Sequence, residues 1–212
     1  MSDIILELDG VSRQFGGVAA VQDVSLQVRR GEIAGLIGPN GAGKSTLFNI
    51  CSAVISPSRG RVFFDSVPID SLPSYKMAEL GLARTFQNLQ LFGHMTVLEN
   101  VMVGCHTKTR CGFLETSLRL PHAVREERQM QEKALKYLEF AGLTEDMHSP
   151  ASILPLGKQR FLELVRALAS EPRLLLLDEI AAGLNGAETE LMREKIDSLR
   201  KQGITIFVVE HD

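Results

Sequence analysis

Apolar and polar residues alternate over positions 4–8 and again over 24–28, the two-residue period of half-buried antiparallel strands. Positions 32–37 are more continuously apolar and run into Gly38-Pro39-Asn40-Gly41, a loop signal. From Lys44 the period lengthens to that of a helix, with Leu47, Phe48, Ile50 and Cys51 on related faces. Ser56-Pro57-Ser58-Arg59-Gly60 breaks that helix, and 61–64 reads as another strand.

Between Thr96 and Ala141 the spacing is mostly helical. The charged run 125–131 reads as a solvated helix face rather than a binding patch, and Gly142 follows as a helix C-cap. The last third alternates again. Positions 158–169 form an amphipathic helix carrying Phe161, Leu162, Leu164, Val165 and Leu168; 174–177 is a buried four-leucine strand, 188–202 a helix, and 204–209 a second buried strand. Strands alternating with helices predict a mainly parallel sheet in an α/β fold. No internal repeat or low-complexity segment interrupts it.

The 212 residues suffice for one sizeable core, or for a core with a subdomain attached. A net charge of −3 argues against nucleic acid as a partner, since phosphate-backbone binders carry a basic stripe. The first residues lack the basic start and apolar run of a signal peptide, and no stretch reaches the roughly 20 apolar residues that span a bilayer. Service to a membrane therefore requires a partner. Cys51, Cys105 and Cys111 show no disulfide-framework spacing and read as cytosolic thiols. Cys105, His106 and Cys111 fall short of a zinc site, which wants four well-placed ligands, and His94, His122 and His148 stay unassigned.

Gly38-Pro39-Asn40-Gly41-Ala42-Gly43-Lys44-Ser45 matches G-x-x-x-x-G-K-[ST] between a strand and a helix, as that motif requires. Glycines let the backbone turn tightly enough for successive N–H groups to point at phosphate oxygens, and the helix start adds its positive dipole end. Lys44 is expected to reach the β- and γ-phosphates, and the Ser45 hydroxyl to ligate Mg²⁺. A Gly-rich turn that merely starts a helix is the plainer alternative. Asp178 and Glu179 end the leucine strand, where ligands bind in open α/β sheets. Asp178 is expected in the Mg²⁺ shell, and Glu179 to polarise or position an attacking water. Otherwise both carboxylates simply cap the following turn.

The order of these motifs resembles the ATP-binding subunit of an ABC transporter over essentially the whole chain, and most of all those serving branched-chain amino acid importers. Three passages carry this: Phe15-Gly16-Gly17-Val18-Ala19-Ala20-Val21, Gly81-Leu82-Ala83-Arg84-Thr85-Phe86-Gln87-Asn88, and Met95-Thr96-Val97-Leu98-Glu99-Asn100-Val101. The resemblance implies a P-loop NTPase core with a mainly parallel sheet, an N-terminal antiparallel β subdomain and an inserted helical subdomain. It places the core and β subdomain at 1–94, the helical subdomain at 95–157, and the rest of the core at 158–212. It implies ATP binding by Phe15 (stacked on adenine), Val18, Ala20, Asn40, Gly41, Ala42, Gly43, Lys44, Ser45 and Thr46. Leu156 and Gly157 would belong to the signature segment that faces a second subunit's ATP. Glu179, His211 and Gln87 would be catalytic, with His211 on the γ-phosphate; Ser45, Gln87 and Asp178 would hold Mg²⁺.

The family closes two such subunits head to tail, which implies a second ATP-binding subunit (a heterodimer in the cell is expected) and integral-membrane permease subunits. Leu184-Asn185 resembles the loop coupling the two sites, and residues after Gln87 would enter the subdomain that docks on the permease. The implied location is the cytoplasmic face of a bacterial plasma membrane, bound peripherally.

Three departures from the family pattern stand out. The signature, usually L-S-G-G-Q, reads Leu154-Pro155-Leu156-Gly157-Lys158. Pro155 lacks the serine hydroxyl and a backbone N–H, though proline fits the first turn of a helix, and Lys158 adds a charge. Ile180 stands where many relatives have proline. The sequence stops at His211-Asp212, where relatives continue, so a truncated chain that is marginally stable or self-associating is expected. Two other functions compete: a nucleotide-gated interaction protein with little hydrolysis, motivated by Pro155, and a repair or assembly ATPase. The second tends to carry long coiled-coil insertions or tandem cassettes, and neither is present.

Overall fold

The computed structural model describes residues 3–106 and 121–210. β1 (Ile4–Phe15) and β2 (Val18–Arg29) form a long antiparallel hairpin whose Gly16-Gly17 turn pairs Phe15 with Val18. Both strands run well past the alternating stretches 4–8 and 24–28. The reason is local: the register shifts repeatedly between Leu8 and Gln14, and each bulge resets the alternation. β4 (Arg59–Phe64) and β5 (Val67–Pro68) complete an antiparallel sheet in the order β2-β1-β4-β5.

The second sheet is parallel, in the order β3 (Ile33–Ile37), β8 (Thr205–Glu210), β7 (Leu174–Asp178), β6 (Leu82–Arg84). β7 has a strand on either side and is buried along its whole length, which is why its sequence is a leucine run rather than an alternation. Each buried leucine contributes about 1.5–3 kcal/mol, so β7 is a firm mount for Asp178 at its carboxyl end. α2 (Tyr75–Leu80) and β6 lie where the sequence pattern marks nothing. Elements this short cannot display a period.

α1 (Lys44–Cys51) follows β3 and buries Leu47, Phe48, Ile50 and Cys51. The Phe48 ring lies 5.3 Å from that of Phe207 in β8. One apolar core joins these residues to Leu6, Val28 and Phe64 of the antiparallel sheet and to Leu174, Leu176 and Val209 of the parallel one. The loop between β3 and α1 is thereby held from below.

The chain divides into two compact units: Met1–Gln87 with Arg173–Ala182 and Glu190–Asp212, and Asn88–Pro172 with Gly183–Thr189. The second is helical, with α3 (Val97–Cys105), α4 (Pro121–Ala141) and α5 (Leu156–Leu168) packed on one another. α3 opens on a reciprocal cap. The Glu99 amide donates to Thr96 Oγ1 at 3.1 Å, and the Thr96 amide to Glu99 Oε2 at 2.7 Å. Asn100, fully buried, ties down the preceding loop by accepting from the Phe92 amide at 2.9 Å and donating to the Thr96 carbonyl at 2.9 Å. α4 ends before Gly142, whose φ of +70° meets the C-cap expectation. Residues 125, 127–129 and 131 within the charged run are exposed, as a solvated face requires. α6 (Gly186–Lys201) follows Asn185, whose side chain caps the Glu188 amide at 3.0 Å.

Candidate functional site

The loop 38–43 and the pair Asp178-Glu179 leave the carboxyl ends of β3 and β7, two strands of one parallel sheet with only β8 between them. Ligands bind at that edge in open α/β sheets.

Gly43 sits at the loop's closest approach to the hairpin. Its φ is +85°, and a Cβ there would stand 2.1 Å from the carbonyl oxygen of Ala20. Only glycine meets both demands. The Leu47 amide donates to the Gly43 carbonyl at 2.9 Å, opening α1. The amides ahead of it have no acceptor within the helix and are left for a ligand or solvent. Asn40, Gly41, Ala42 and Ser45 are exposed and Thr46 is half-buried. Lys44 is buried, and its Nζ donates to the carbonyls of Gly38 at 2.5 Å and Pro39 at 3.2 Å. The ammonium thus lies curled against the loop that its motif assigns to phosphate.

A cleft of about 430 Å³ lies beside this loop, lined by Ala20, Gln22, Val24, Ile37, Gly43 and Lys44 among others. Phe15 and Val18 stand outside that lining, at the tip of the hairpin that borders it. Both are open to solvent, at 46% and 68% exposed, and the Arg13 guanidinium lies 4.8 Å from the centre of the Phe15 ring. An aromatic ring left this accessible offers a face for stacking.

The acidic pair is buried, with Asp178 2% and Glu179 7% exposed. Gln87 Nε2 donates to the two carboxylate oxygens of Glu179, at 3.2 and 3.1 Å. Glu179 also holds a φ of +50°, a strained conformation for a non-glycine residue and one that clusters at functional sites. Asp178 Oδ2 accepts from Arg84 at 2.9 Å, and the Asp178 amide donates to Thr85 Oγ1 at 3.2 Å. Asp178 Oδ1 is buried and has no hydrogen-bond partner among the described residues. Arg84 lies within the family-like passage 81–88, and no sequence spacing reveals its role because its partner lies 94 positions away.

The signature segment differs from expectation in two respects. Pro155 is the N-cap of α5, with φ −54° and ψ 150°, rather than a residue of its first turn. The helix accordingly starts at Leu156, two residues ahead of the pattern in the sequence. Lys158 is committed to an ion pair with Asp146 at 2.6 Å, so its charge is already met within the helical unit. Leu156 is 46% exposed. Gly157 is buried against Glu188, whose Oε1 would stand 2.1 Å from a Cβ at that position. His211 and Cys111 lie outside the described residues. Among those described, no His, Cys, Asp and Glu side chains gather in a metal-binding group.

The ABC transporter family model matches residues 21–182. The high-affinity branched-chain amino acid transport ATP-binding protein BraF of Pseudomonas aeruginosa is 41% identical over 213 residues, covering 100% of this chain and 84% of its own length. Its counterpart LivG from Escherichia coli K12 is 39% identical with the same coverage. Among solved structures, a dimeric ATP-binding cassette in a post-hydrolysis state with ADP and Pi superposes with a TM-score of 0.84 at 26% identity, over 98% of this chain and 88% of that one. A P-loop and an acidic pair on one parallel sheet, a separate helical unit, and similarity along the full length together establish that this chain belongs to the ABC transporter family, as an ATP-binding subunit.

Proposed function

We propose that this chain binds ATP with Mg²⁺ and hydrolyses it to energise a membrane importer for branched-chain amino acids. The observation that carries the reading is the placement of the 38–45 loop and of Asp178-Glu179 at the same edge of one parallel sheet. The cargo class rests on the names of the relatives BraF and LivG.

In this reading adenine stacks on Phe15 beside Val18 and Ala20. The triphosphate lies along the amides of 40–46, and Lys44 leaves the Gly38 and Pro39 carbonyls for the β- and γ-phosphates. Mg²⁺ fits the residues present: Ser45 offers an exposed hydroxyl, Asp178 a buried carboxylate oxygen with no partner among the described residues, and both are the hard oxygen donors it prefers. Ser45, Asp178 and Gln87 would hold it, and when bound it would neutralise charge on the β- and γ-phosphates. Glu179 positions a water for in-line attack on the γ-phosphorus. One P–O bond forms to the water and one breaks to the bridging oxygen, giving ADP and phosphate, while the carboxylate draws off the proton. Gln87 holds that carboxylate before the water arrives, and His211 would contact the γ-phosphate by a hydrogen bond.

A second ATP-binding subunit, arranged head to tail, would present its own signature segment to this chain's ATP, and this chain's Leu156-Gly157 would face the ATP of that subunit. The helical subdomain, expected from the sequence at 95–157 and extending in the structure over Asn88–Pro172 with Gly183–Thr189, would dock on permease subunits. No helix among the described residues is long and apolar enough to cross a membrane, so a membrane-spanning partner would supply the path. The location that follows is the cytoplasmic face of a bacterial plasma membrane.

Steady-state ATP hydrolysis, with and without Mg²⁺, tests the reading, with Glu179→Gln as control. Turnover that needs the metal and disappears in the control supports it. Turnover equal in parent and control removes Glu179 from the chemistry. Pro155 favours a second reading, a nucleotide-gated interaction protein with little hydrolysis, because it brings neither hydroxyl nor N–H to the signature. Tight ATP binding with no turnover in the presence of the second subunit selects that reading.

A further inference from the structure

We propose that Arg84 is a positioning residue for Asp178, setting the geometry of the metal site by locking that carboxylate to the helix that carries Lys44 and Ser45. The inference rests on the Mg²⁺ site assigned above. Arg84 is the last residue of β6, and the backbone of the next residue, Thr85, continues the pairing by donating to the Leu176 carbonyl at 2.9 Å. Its side chain is 9% exposed, and the guanidinium reaches in two directions. One nitrogen donates to Asp178 Oδ2 at 2.9 Å; the other donates to Asn49 Oδ1 at 2.6 Å and Ser52 Oγ at 2.8 Å. Asn49 belongs to α1 and Ser52 is its C-cap. The charge also lies 5.4 Å from the centre of the Phe48 ring and 5.2 Å from that of Phe86.

A buried ion pair is a costly way to add stability, because desolvation of two charges offsets their attraction. This one does something apolar packing cannot do. It fixes one oxygen of Asp178 and leaves the other, Oδ1, buried without a partner among the described residues. An orphaned buried oxygen is itself destabilising, and a cation restores the balance. The planar fork suits the task, since the point charge of a lysine cannot serve a carboxylate on one side and an amide and a hydroxyl on the other. Side chains that orient a metal-binding carboxylate tune affinity from one layer out.

The test uses Mn²⁺ as the probe, titrated into the protein with a non-hydrolysable ATP analogue and followed by electron paramagnetic resonance. Affinity for a fluorescent ATP analogue in EDTA is measured in parallel. Arg84→Gln is expected to weaken Mn²⁺ binding roughly tenfold or more, as loss of an outer partner does. Arg84→Lys is expected to recover part of that, while the affinity in EDTA stays that of the parent. A merely structural role would lower both affinities together, and that result overturns the inference. So does Mn²⁺ affinity equal to the parent's in folded Arg84→Gln. Should both Arg84 variants fail to fold, Asn49→Ala decides, since it keeps the ion pair and loosens its anchor. Weaker Mn²⁺ binding with unchanged affinity in EDTA supports the proposal, and parental Mn²⁺ binding overturns it. A parent protein that binds no nucleotide would instead bring down the proposed function, and this inference with it, before any variant is compared.

Discussion

Gln87 donates from a single amide nitrogen to both carboxylate oxygens of Glu179, at 3.2 and 3.1 Å. Gln87 is exposed whereas Glu179 is buried, so the glutamine closes the solvent side of an acid held in a strained backbone conformation. If Glu179 positions the attacking water, Glu179→Gln should lower turnover by about 10²–10⁴, the usual value of general-base assistance, with ATP binding retained. Gln87→Ala should cost less, because the carboxylate survives although its holder and one proposed Mg²⁺ ligand are lost. Steady-state hydrolysis alongside equilibrium ATP binding separates the two effects. Parental turnover in Glu179→Gln would contradict the assignment.

Phe15 closes a Gly-Gly hairpin with nearly half its surface exposed, its ring flanked by the Arg13 guanidinium. A core phenylalanine would be covered. Phe15→Ala should therefore weaken ATP by roughly 1–3 kcal/mol, the range for stacking on one base, and leave the melting temperature close to the parent's. Inorganic triphosphate, which has no base, should bind both proteins equally. Equal loss for ATP and triphosphate would show that the substitution disturbs the loop rather than the base.

Two glycines of the phosphate loop make opposite predictions. A Cβ on Gly43 would press to 2.1 Å from the Ala20 carbonyl oxygen and would sit at a φ of +85°. A Cβ on Gly38 meets the Ala42 Cβ at 3.7 Å and the Lys44 Cδ at 3.9 Å, both ordinary contacts. Gly43→Ala should thus lower stability by about 1–3 kcal/mol or more and abolish ATP binding, whereas Gly38→Ala should fold as the parent does. Thermal melts with and without ATP read both outcomes. Retention of ATP binding by Gly43→Ala would mean that the loop moves away from the hairpin freely.

The difference between those glycines is invisible in the sequence, where both are simply motif positions. What could be read there is what depends on near neighbours. The leucine run before Asp178 announces an inner parallel strand, and the interval from Gly38 to Ser45 announces a loop opening a helix. Contacts between distant positions left no such trace. Arg84 meets Asp178 from 94 positions away, and the Ala20 carbonyl that confines Gly43 belongs to β2 of the hairpin, outside the motif. Lys158 read as spare charge because Asp146, 12 positions back, is brought beside it by turns with no regular period. Pro155 was legible as a helix-start residue, but whether it stood inside the first turn or just before it depended on backbone angles. The Thr96–Glu99 cap is the reverse case, a local signal present in the sequence as T-x-x-E that identifies the start of α3.

Cys51 provides a check on the core beneath the phosphate loop, independent of nucleotide chemistry. It is the last residue of α1 and is completely buried. Burial pushes its thiol from the ordinary 9.0 up to about 12, against a smaller opposing pull from Arg84 and a backbone hydrogen bond. The thiolate is the nucleophile, so at pH 8 only a fraction on the order of 10⁻⁴ is reactive, and that fraction is also shielded from reagent. Iodoacetamide should leave Cys51 unmodified in the native protein and label it in denaturant, as read by peptide mass spectrometry. The sign of the pH dependence follows. The folded value is raised, so the thiol's contribution is fully present below the unfolded value near 9 and is lost as pH climbs towards 12. Denaturant midpoints should therefore fall across that window, and Cys51→Ala, less stable at neutral pH because of the cavity it leaves, should fall less steeply. Ready native labelling at pH 8 would place Cys51 at the surface and contradict the packing of α1 described above.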